Sequence, residues 1–456
     1  MSSDSRSAAP LWRVVVDGFG QDAVACAKLL VAEGNHVTMV GVGAATDEAL
    51  ALRGTGVTVC AHHAWDGSAL ADVVVVDCWT AETAPIVVRH RAAGAHVTSI
   101  GDLVVERCRG RTLGVTGSAG KTTATRLAAA MMQASGIDVR MSSSARAGNA
   151  WPAAEIVHGL PGPVAPGWLA LELTSTHLAY MRTSPDVALI TAFWPDHVEL
   201  HGSLERYRQA KLTILRHQRP DDICVVNADD PGATMFAGEA LGRVFEASAE
   251  RPVASGVGTE GDLVVARLDD GVPVVLCRRD AIPLTVPLAS VMVSAACAAL
   301  VCGAEPTAVA RAMSAPPSLP HRRQVLGHID GVTVIDDSAA TTPRKALGSL
   351  AGLDRSRLIV LVGGNLDAGG PPVLCSPEEG AGLADALDEL ATCRGVIAFG
   401  PAARRVPGTS RAATLEDAWA MAHRLARPGD VIVLAPMFPM APQERAAFPR
   451  LAGLAG

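Results

Sequence analysis

The 456-residue chain is poor in several features that would each fix a class of function. No apolar run is long enough to span a bilayer, and the polar stretch Met1 to Pro10 is followed by no hydrophobic signal segment. A cytoplasmic protein that does not engage membranes is therefore expected. The ten cysteines (Cys26, Cys60, Cys78, Cys108, Cys224, Cys277, Cys297, Cys302, Cys375, Cys393) include no CxxC pair, so no zinc or redox motif is indicated. They read as small buried apolar residues in a reducing compartment. There is no excess of positive charge: the formal net charge is −7, which argues against nucleic-acid binding. Internal repeats and extended low-complexity segments are also lacking.

What is present is a recurring α/β pattern, too long for one hydrophobic core. Short apolar runs at Trp12 to Val16, His36 to Val40, Val57 to Cys60 and Ala71 to Asp77 alternate with helical stretches such as Ala23 to Glu33. That alternation predicts parallel strands with crossover helices. The first unit closes with short apolar segments at His96 to Ile100 and Leu103 to Val105. A second unit begins with the strand Leu113 to Thr116 and a helix from Lys121 to Ser135, with further strands at Leu169 to Leu173, Val187 to Thr191 and Ile223 to Asn227. Alternating segments at Leu263 to Leu268 and Val272 to Cys277 predict a small antiparallel portion, followed by a helix over Val291 to Gly303. The Pro-rich piece Ala315 to Pro320 is a natural linker. Beyond it, strands at Val332 to Asp336, Leu358 to Val362, Val396 to Phe399 and Val431 to Leu434 are interleaved with helices at Pro343 to Ala351 and Leu415 to Leu425. The expected fold is thus α/β in three domains, 1–109, 110–318 and 319–456. The outer two are Rossmann-like, and the central one is a P-loop ATPase type with a parallel sheet plus a small antiparallel part.

The strongest chemical signal is Gly114-Val115-Thr116-Gly117-Ser118-Ala119-Gly120-Lys121-Thr122-Thr123, between an apolar strand and an amphipathic helix. Glycines let the backbone wrap closely around phosphates, so that N–H groups and the helix N-terminus face the anion. Lys121 can reach the terminal phosphates of ATP, and the Thr122 hydroxyl is placed to bind Mg²⁺. Gly117, Ser118, Ala119, Gly120 and Thr123 complete the cradle. The first glycine turn, Asp17-Gly18-Phe19-Gly20-Gln21-Asp22-Ala23, matches a dinucleotide pattern only in part. An acid for the ribose is expected about 20 residues on. Met39-Val40-Gly41 stands there instead. A nicotinamide-dependent oxidoreductase is the poorer reading.

From Gly114 onward the order of motifs resembles the Mur ligase family, and within it the branch that adds D-glutamate. The blocks are Leu171-Glu172-Leu173-Thr174-Ser175, Pro195-Asp196-His197-Val198-Glu199, Tyr207-Arg208-Gln209-Ala210-Lys211, Val226-Asn227-Ala228-Asp229-Asp230, Leu319-Pro320-His321-Arg322 and Ile335-Asp336-Asp337-Ser338-Ala339-Ala340-Thr341. The resemblance implies ATP-dependent joining of a carboxylate to an amine through an acyl phosphate. It assigns Thr122 and Glu172 to one Mg²⁺ and His197 with a carbamoylated Lys211 to a second. Lys121, Glu172, His197 and Lys211 would be catalytic. Asn227, Arg322 and Asp337 would contact the nucleotide, Arg322 at a phosphate and Asp337 at the ribose. Asn149, Ser338 and Thr341 would meet the substrates. The N-terminal domain would hold the acyl donor, such as a UDP-sugar peptide precursor, and the C-terminal domain the amino acid, in a monomer.

The chain departs from that pattern where substrates are read. Ser290-Val291-Met292-Val293-Ser294-Ala295 lacks the asparagines expected for adenine, and Asp77-Cys78-Trp79-Thr80-Ala81 replaces the Ser-Pro-Gly expected beside a uridine diphosphate. Ala339 and Asp367 stand where lysines are expected, and Ala435-Pro436-Met437-Phe438-Pro439-Met440 replaces small polar residues. Altered substrates are expected, in peptidoglycan or secondary metabolism. A standard D-glutamate ligase and a non-catalytic ATP-binding relative remain the alternatives.

Overall fold

Each of the three α/β segments builds its own sheet. A computed structural model describes residues 11–41, 52, 54–61, 70–78, 80–142, 167–196, 198–268, 271–283, 289–364, 377–407 and 409–454. The N-terminal sheet has five parallel strands, in the order Val57–Ala61, His36–Gly41, Arg13–Asp17, Val73–Val76, His96–Ser99. Alternate side chains of a strand face opposite ways, and here both faces are covered. Val14 and Val16 join the cluster under helix Gln21–Ala32, whereas Val15 packs with Ile86 and Val87 of helix Pro85–Ala92.

The apolar segment Leu103 to Val105 is not a strand but the middle of helix Ile100–Arg107. Ser99 caps that helix by accepting the Asp102 N–H, and the Asp102 carboxylate accepts from the N–H groups of Arg182 and Thr183. An N-cap and an acid in the first turn outweigh three apolar residues in a row.

The central sheet has nine strands. Val139–Ser142, Trp168–Glu172, Arg111–Thr116, Val187–Ile190, Ile223–Asn227, Arg243–Ala247 and Gly256–Glu260 run parallel in that order. Leu263–Arg267 and Val274–Arg278 continue the sheet antiparallel, as the alternating pattern predicts. Helix Ala289–Val301 is apolar on nearly all sides and is correspondingly enclosed, packing on helix Lys121–Ala134.

The C-terminal sheet runs Gln324–Ile329, Val332–Asp336, Val431–Met437, Leu358–Gly363, Gly395–Phe399, Ser410–Ala412, antiparallel only at its first pair. Leu358, Val360 and Val362 feed one core, and Ile359 and Leu361 feed the other. No described helix is long and apolar enough to cross a membrane.

Candidate active site

The glycine-rich loop leaves the end of strand Arg111–Thr116 in the middle of the central sheet. Gly117 and Gly120 hold φ of +152° and +82°, and a Cβ on Gly117 would run into the Thr191 hydroxyl. Only glycine satisfies both demands. The Thr191 hydroxyl lies between the carbonyls of Thr116 and Ala119. The Ser118 hydroxyl donates to the Trp194 carbonyl at 2.8 Å and accepts the Trp194 N–H at 3.0 Å. The loop is thus held in shape by the segment after the neighbouring strand. Helix Lys121–Ala134 starts with no side-chain cap, so its first N–H groups are left to face an anion.

Lys121 is half-buried and bends back to donate to the Gly117 carbonyl at 2.8 Å. Burial lowers its ammonium pKa, with the Glu172 charge opposing and that of Lys345 adding to the effect. Glu172 ends strand Trp168–Glu172, level with Val115 on the adjacent strand. The Thr122 hydroxyl donates to Glu172 Oε2 at 2.8 Å and accepts from Arg322 Nη2 at 2.9 Å. That second bond crosses from the C-terminal domain to the phosphate loop.

Lys211, on helix Leu204–Arg216, is 1% exposed. Its Nζ is 3.4 Å from Thr116 Oγ1 and 4.9 Å from the Tyr207 ring centroid. Desolvation, then the Lys121 charge, pushes its pKa well below the ordinary value.

These bonds gather Gly117 to Thr123, Glu172, Lys211 and Arg322 into one cluster. Asn227 sits beside it, donating to the Thr191 carbonyl at 2.8 Å. It also lines a cavity of about 610 Å³ with Gly120, Trp194, Val291 and Arg323. Cavities of roughly 300–1,000 Å³ suit a small-molecule ligand.

Asp337 lies behind Arg323. One carboxylate oxygen accepts the Arg323 N–H at 3.1 Å, and the other is buried without a partner. Burial pushes this carboxyl up to about 7. Ser338 is fully buried, its hydroxyl 3.3 Å from His321 Nδ1, and Thr341 is half-buried on the following turn. Both belong to the C-terminal domain's own packing, and no hydrogen bond joins them to the phosphate loop. Asn149, His197 and Asp367 lie outside the described residues.

Sequence reasoning missed Thr191, Trp194 and Arg323. The signal was available: in a parallel sheet, neighbouring strands end at one edge. The residues after Val187–Ile190 must therefore meet the phosphate loop.

The N-terminal sheet has a second candidate crevice, where strand order reverses between Arg13–Asp17 and Val73–Val76. Its glycine turn resembles the central loop in backbone, with Gly18 at φ +99°. Among the described residues, the side chains at its strand ends are acidic. Asp17 ends one strand and accepts the Thr80 hydroxyl at 2.7 Å. Asp77 follows the other, and a Cβ on Gly18 would come 3.0 Å from its Oδ2.

Two family profiles match the chain: the Mur ligase middle domain over residues 115–255, and the "Mur ligase, glutamate ligase domain" over residues 321–438. The UDP-N-acetylmuramoylalanine–D-glutamate ligase of Symbiobacterium thermophilum is 30% identical over 441 residues, spanning 93% of this chain and 92% of that protein. Its namesake from Frankia casuarinae is 32% identical, spanning 93% and 88%. Among solved structures, UDP-N-acetylmuramate-alanine ligase MurC from Thermotoga maritima superposes with a TM-score of 0.57 at 17% identity, covering 97% of this chain and 99% of its own. MurF ligase from the same organism, solved with ADP, gives 0.56 at 17% identity, covering 91% and 92%. At that identity the two structures speak to the fold.

Proposed function

The chain belongs to the Mur ligase family, ATP-dependent and ADP-forming, and from that premise we propose that it joins an acid to an amino acid through an acyl phosphate formed beside Lys121. The observation that carries this reading is the bond chain Arg322–Thr122–Glu172, in which a cation from one domain meets a hydroxyl and a carboxylate of another at the phosphate loop.

The chemistry has two steps. An acid oxygen forms a bond to the γ-phosphorus of ATP, and the bond from that phosphorus to the β–γ bridging oxygen breaks, leaving ADP with the electron pair. The amine nitrogen then attacks the acyl carbon, phosphate leaves with its electron pair, and the amine loses a proton. Both steps spread negative charge over phosphoryl oxygens, so positioned cations and N–H donors supply most of the catalysis. Lys121, the loop N–H groups and Arg322 fill that role. The oxygens of Thr122 and Glu172 are the hard donors that Mg²⁺ favours, and a bound Mg²⁺ would neutralise phosphate charge there.

Lys211 has the environment of a lysine that reacts with CO₂. Burial favours the neutral amine, and only the neutral amine can form a carbamate. As a carbamate it would offer oxygen to a second Mg²⁺, for which the family resemblance names His197 as the other ligand. In this reading residues 1–109 hold the acyl donor, 110–318 bind ATP and 319–456 present the amino acid. Asn149 and Thr341 are the substrate contacts and Asn227 lies on the nucleoside side, while Ser338 and Asp337, expected to touch ligands, are buried and hold the turn that carries Thr341.

The curated relatives act on UDP-N-acetylmuramoylalanine and D-glutamate by name, which favours the same substrates here. The N-terminal crevice favours a different acyl donor, because a diphosphate set against Asp17 and Asp77 would be repelled. Ala339 likewise leaves a side-chain carboxylate without a lysine at that position. We therefore place the chain among ligases of this type with altered substrates. The separating experiment is kcat/KM for D-glutamate against neutral and basic amino acids, using UDP-N-acetylmuramoyl-L-alanine as donor. Turnover in which D-glutamate leads by tenfold or more would return the chain to the standard reaction.

A further inference from the structure

Lysine is the rare cation of this chain. Of its 39 lysines and arginines only Lys28, Lys121, Lys211 and Lys345 are lysine. Lys28 is an exposed residue of helix Gln21–Ala32. The other three converge. Lys345 stands on helix Pro343–Leu350 of the C-terminal domain, and its Nζ crosses the domain boundary to Asp196 Oδ2 at 3.2 Å. Asp196 is buried in the loop that follows strand Val187–Ile190, next to the segment that holds the phosphate loop in shape. The preceding residue, Arg344, lays its guanidinium 4.7 Å from the centre of the Trp194 ring. The Arg322 bond to Thr122 is the third cationic contact made from the same domain to the same place.

An interdomain latch needs no lysine. Where this chain needs only a surface cation it nearly always uses arginine, and at a latch arginine's planar fork would pair with a carboxylate through two bonds. An ammonium is a compact point charge suited to reaching a phosphate. Lys345 is also close enough for its charge to depress the pKa of both Lys121 and Lys211. Lys121, Arg322 and Lys345 bring three like charges beside Glu172 and Asp196, and these repel one another unless a further anion joins them.

We propose that Lys345 is a catalytic cation brought by the C-terminal domain, which leaves Asp196 to bind the γ-phosphoryl group of ATP and follows that group through its transfer to the acid. The proposal rests on the ligase reading above and adds a residue to it. In both steps Lys345 donates to phosphoryl oxygens and gives up no proton. As ADP leaves, its charge stays with the acyl phosphate, and as phosphate leaves, the contact breaks when the domain opens.

The test uses the full chain and two nucleotides, Mg·ADP and the non-hydrolysable Mg·AMP-PNP, measured by titration calorimetry. Lys345→Met should weaken AMP-PNP by about tenfold or more, the scale of one hydrogen bond to a charged group, and leave ADP within about twofold. Lys345→Arg keeps the charge in a different shape and should fall between. Thermal unfolding of both variants checks that each is folded. Equal loss of both nucleotides would make Lys345 a latch, and no loss of either would make it a spectator; each result overturns the proposal. If the wild-type chain bound neither nucleotide, the ligase reading itself would fall.

Discussion

The central and N-terminal domains each carry a glycine turn at the end of a parallel strand, opening a helix, and the described side chains beside the two turns differ in charge. Around Gly117 and Gly120 the cations are Lys121, Arg322 and Lys345, set against Glu172 and Asp196. Around Gly18 they are Asp17 and Asp77. The backbone offers a crevice in both places, and the charge of the side chains decides what can enter it. A glycine pattern alone therefore does not tell a turn lined by cations from one lined by acids.

The largest effects should fall on the cationic turn. Lys121→Ala and Glu172→Ala should each lower turnover by about a hundredfold or more, as expected when a positioned charge at the transition state is lost. Near-normal phosphate release by either folded variant would end the assignment. Lys211→Ala should be comparably impaired, and short carboxylates such as acetate or formate should restore part of the rate by replacing the carbamate oxygens. Full activity without them would refute the carbamate role.

How much of this was legible beforehand follows the same division. The phosphate loop and Glu172 announce themselves because close backbone approach and a charge in an apolar strand leave few residue choices, whereas Lys211, in a helical pattern that reads as solvated surface, is reached only through the family resemblance; the three do come together. Strands such as Ile223–Asn227 and Val332–Asp336 were legible from apolar runs alone. Arg243–Ala247 and Gly256–Glu260 were not, because charged and glycine residues interrupt their patterns while neighbouring strands supply the burial. Nor could the sequence pair Lys345 with Asp196, 149 residues apart, since that contact exists only once two domains meet.

Weaker effects should appear at the acidic turn. UDP should bind the chain at least about tenfold more weakly than ADP, and Asp77→Asn should narrow that gap by several-fold, on the scale of one partly screened charge pair. A wild-type chain that binds UDP as tightly as ADP would break the contrast between the two turns.

The smallest predicted change concerns Asp337. Its folded pKa of about 7 lies above the ordinary 3.8. Between those values the folded chain holds a proton that the unfolded chain does not. Stability should thus decline as pH rises through that window and level off above it. Asp337→Asn should remove the slope, a difference on the order of 1 kcal/mol between pH 5 and pH 8 by denaturant unfolding. A parent chain equally stable at both pH values would show that the carboxyl titrates normally.

The most direct measurement follows oxygen. An acid that supports phosphate release would first be found by crossing candidate carboxylates with an amino-acid panel. It would then be labelled with ¹⁸O in its carboxyl group and turned over with ATP and the amine. An acyl phosphate requires that one labelled oxygen leave in each phosphate released, with ADP and amide formed in equal amounts. Unlabelled phosphate, or ATP consumption that needs no amine, would contradict ligation through an acyl phosphate.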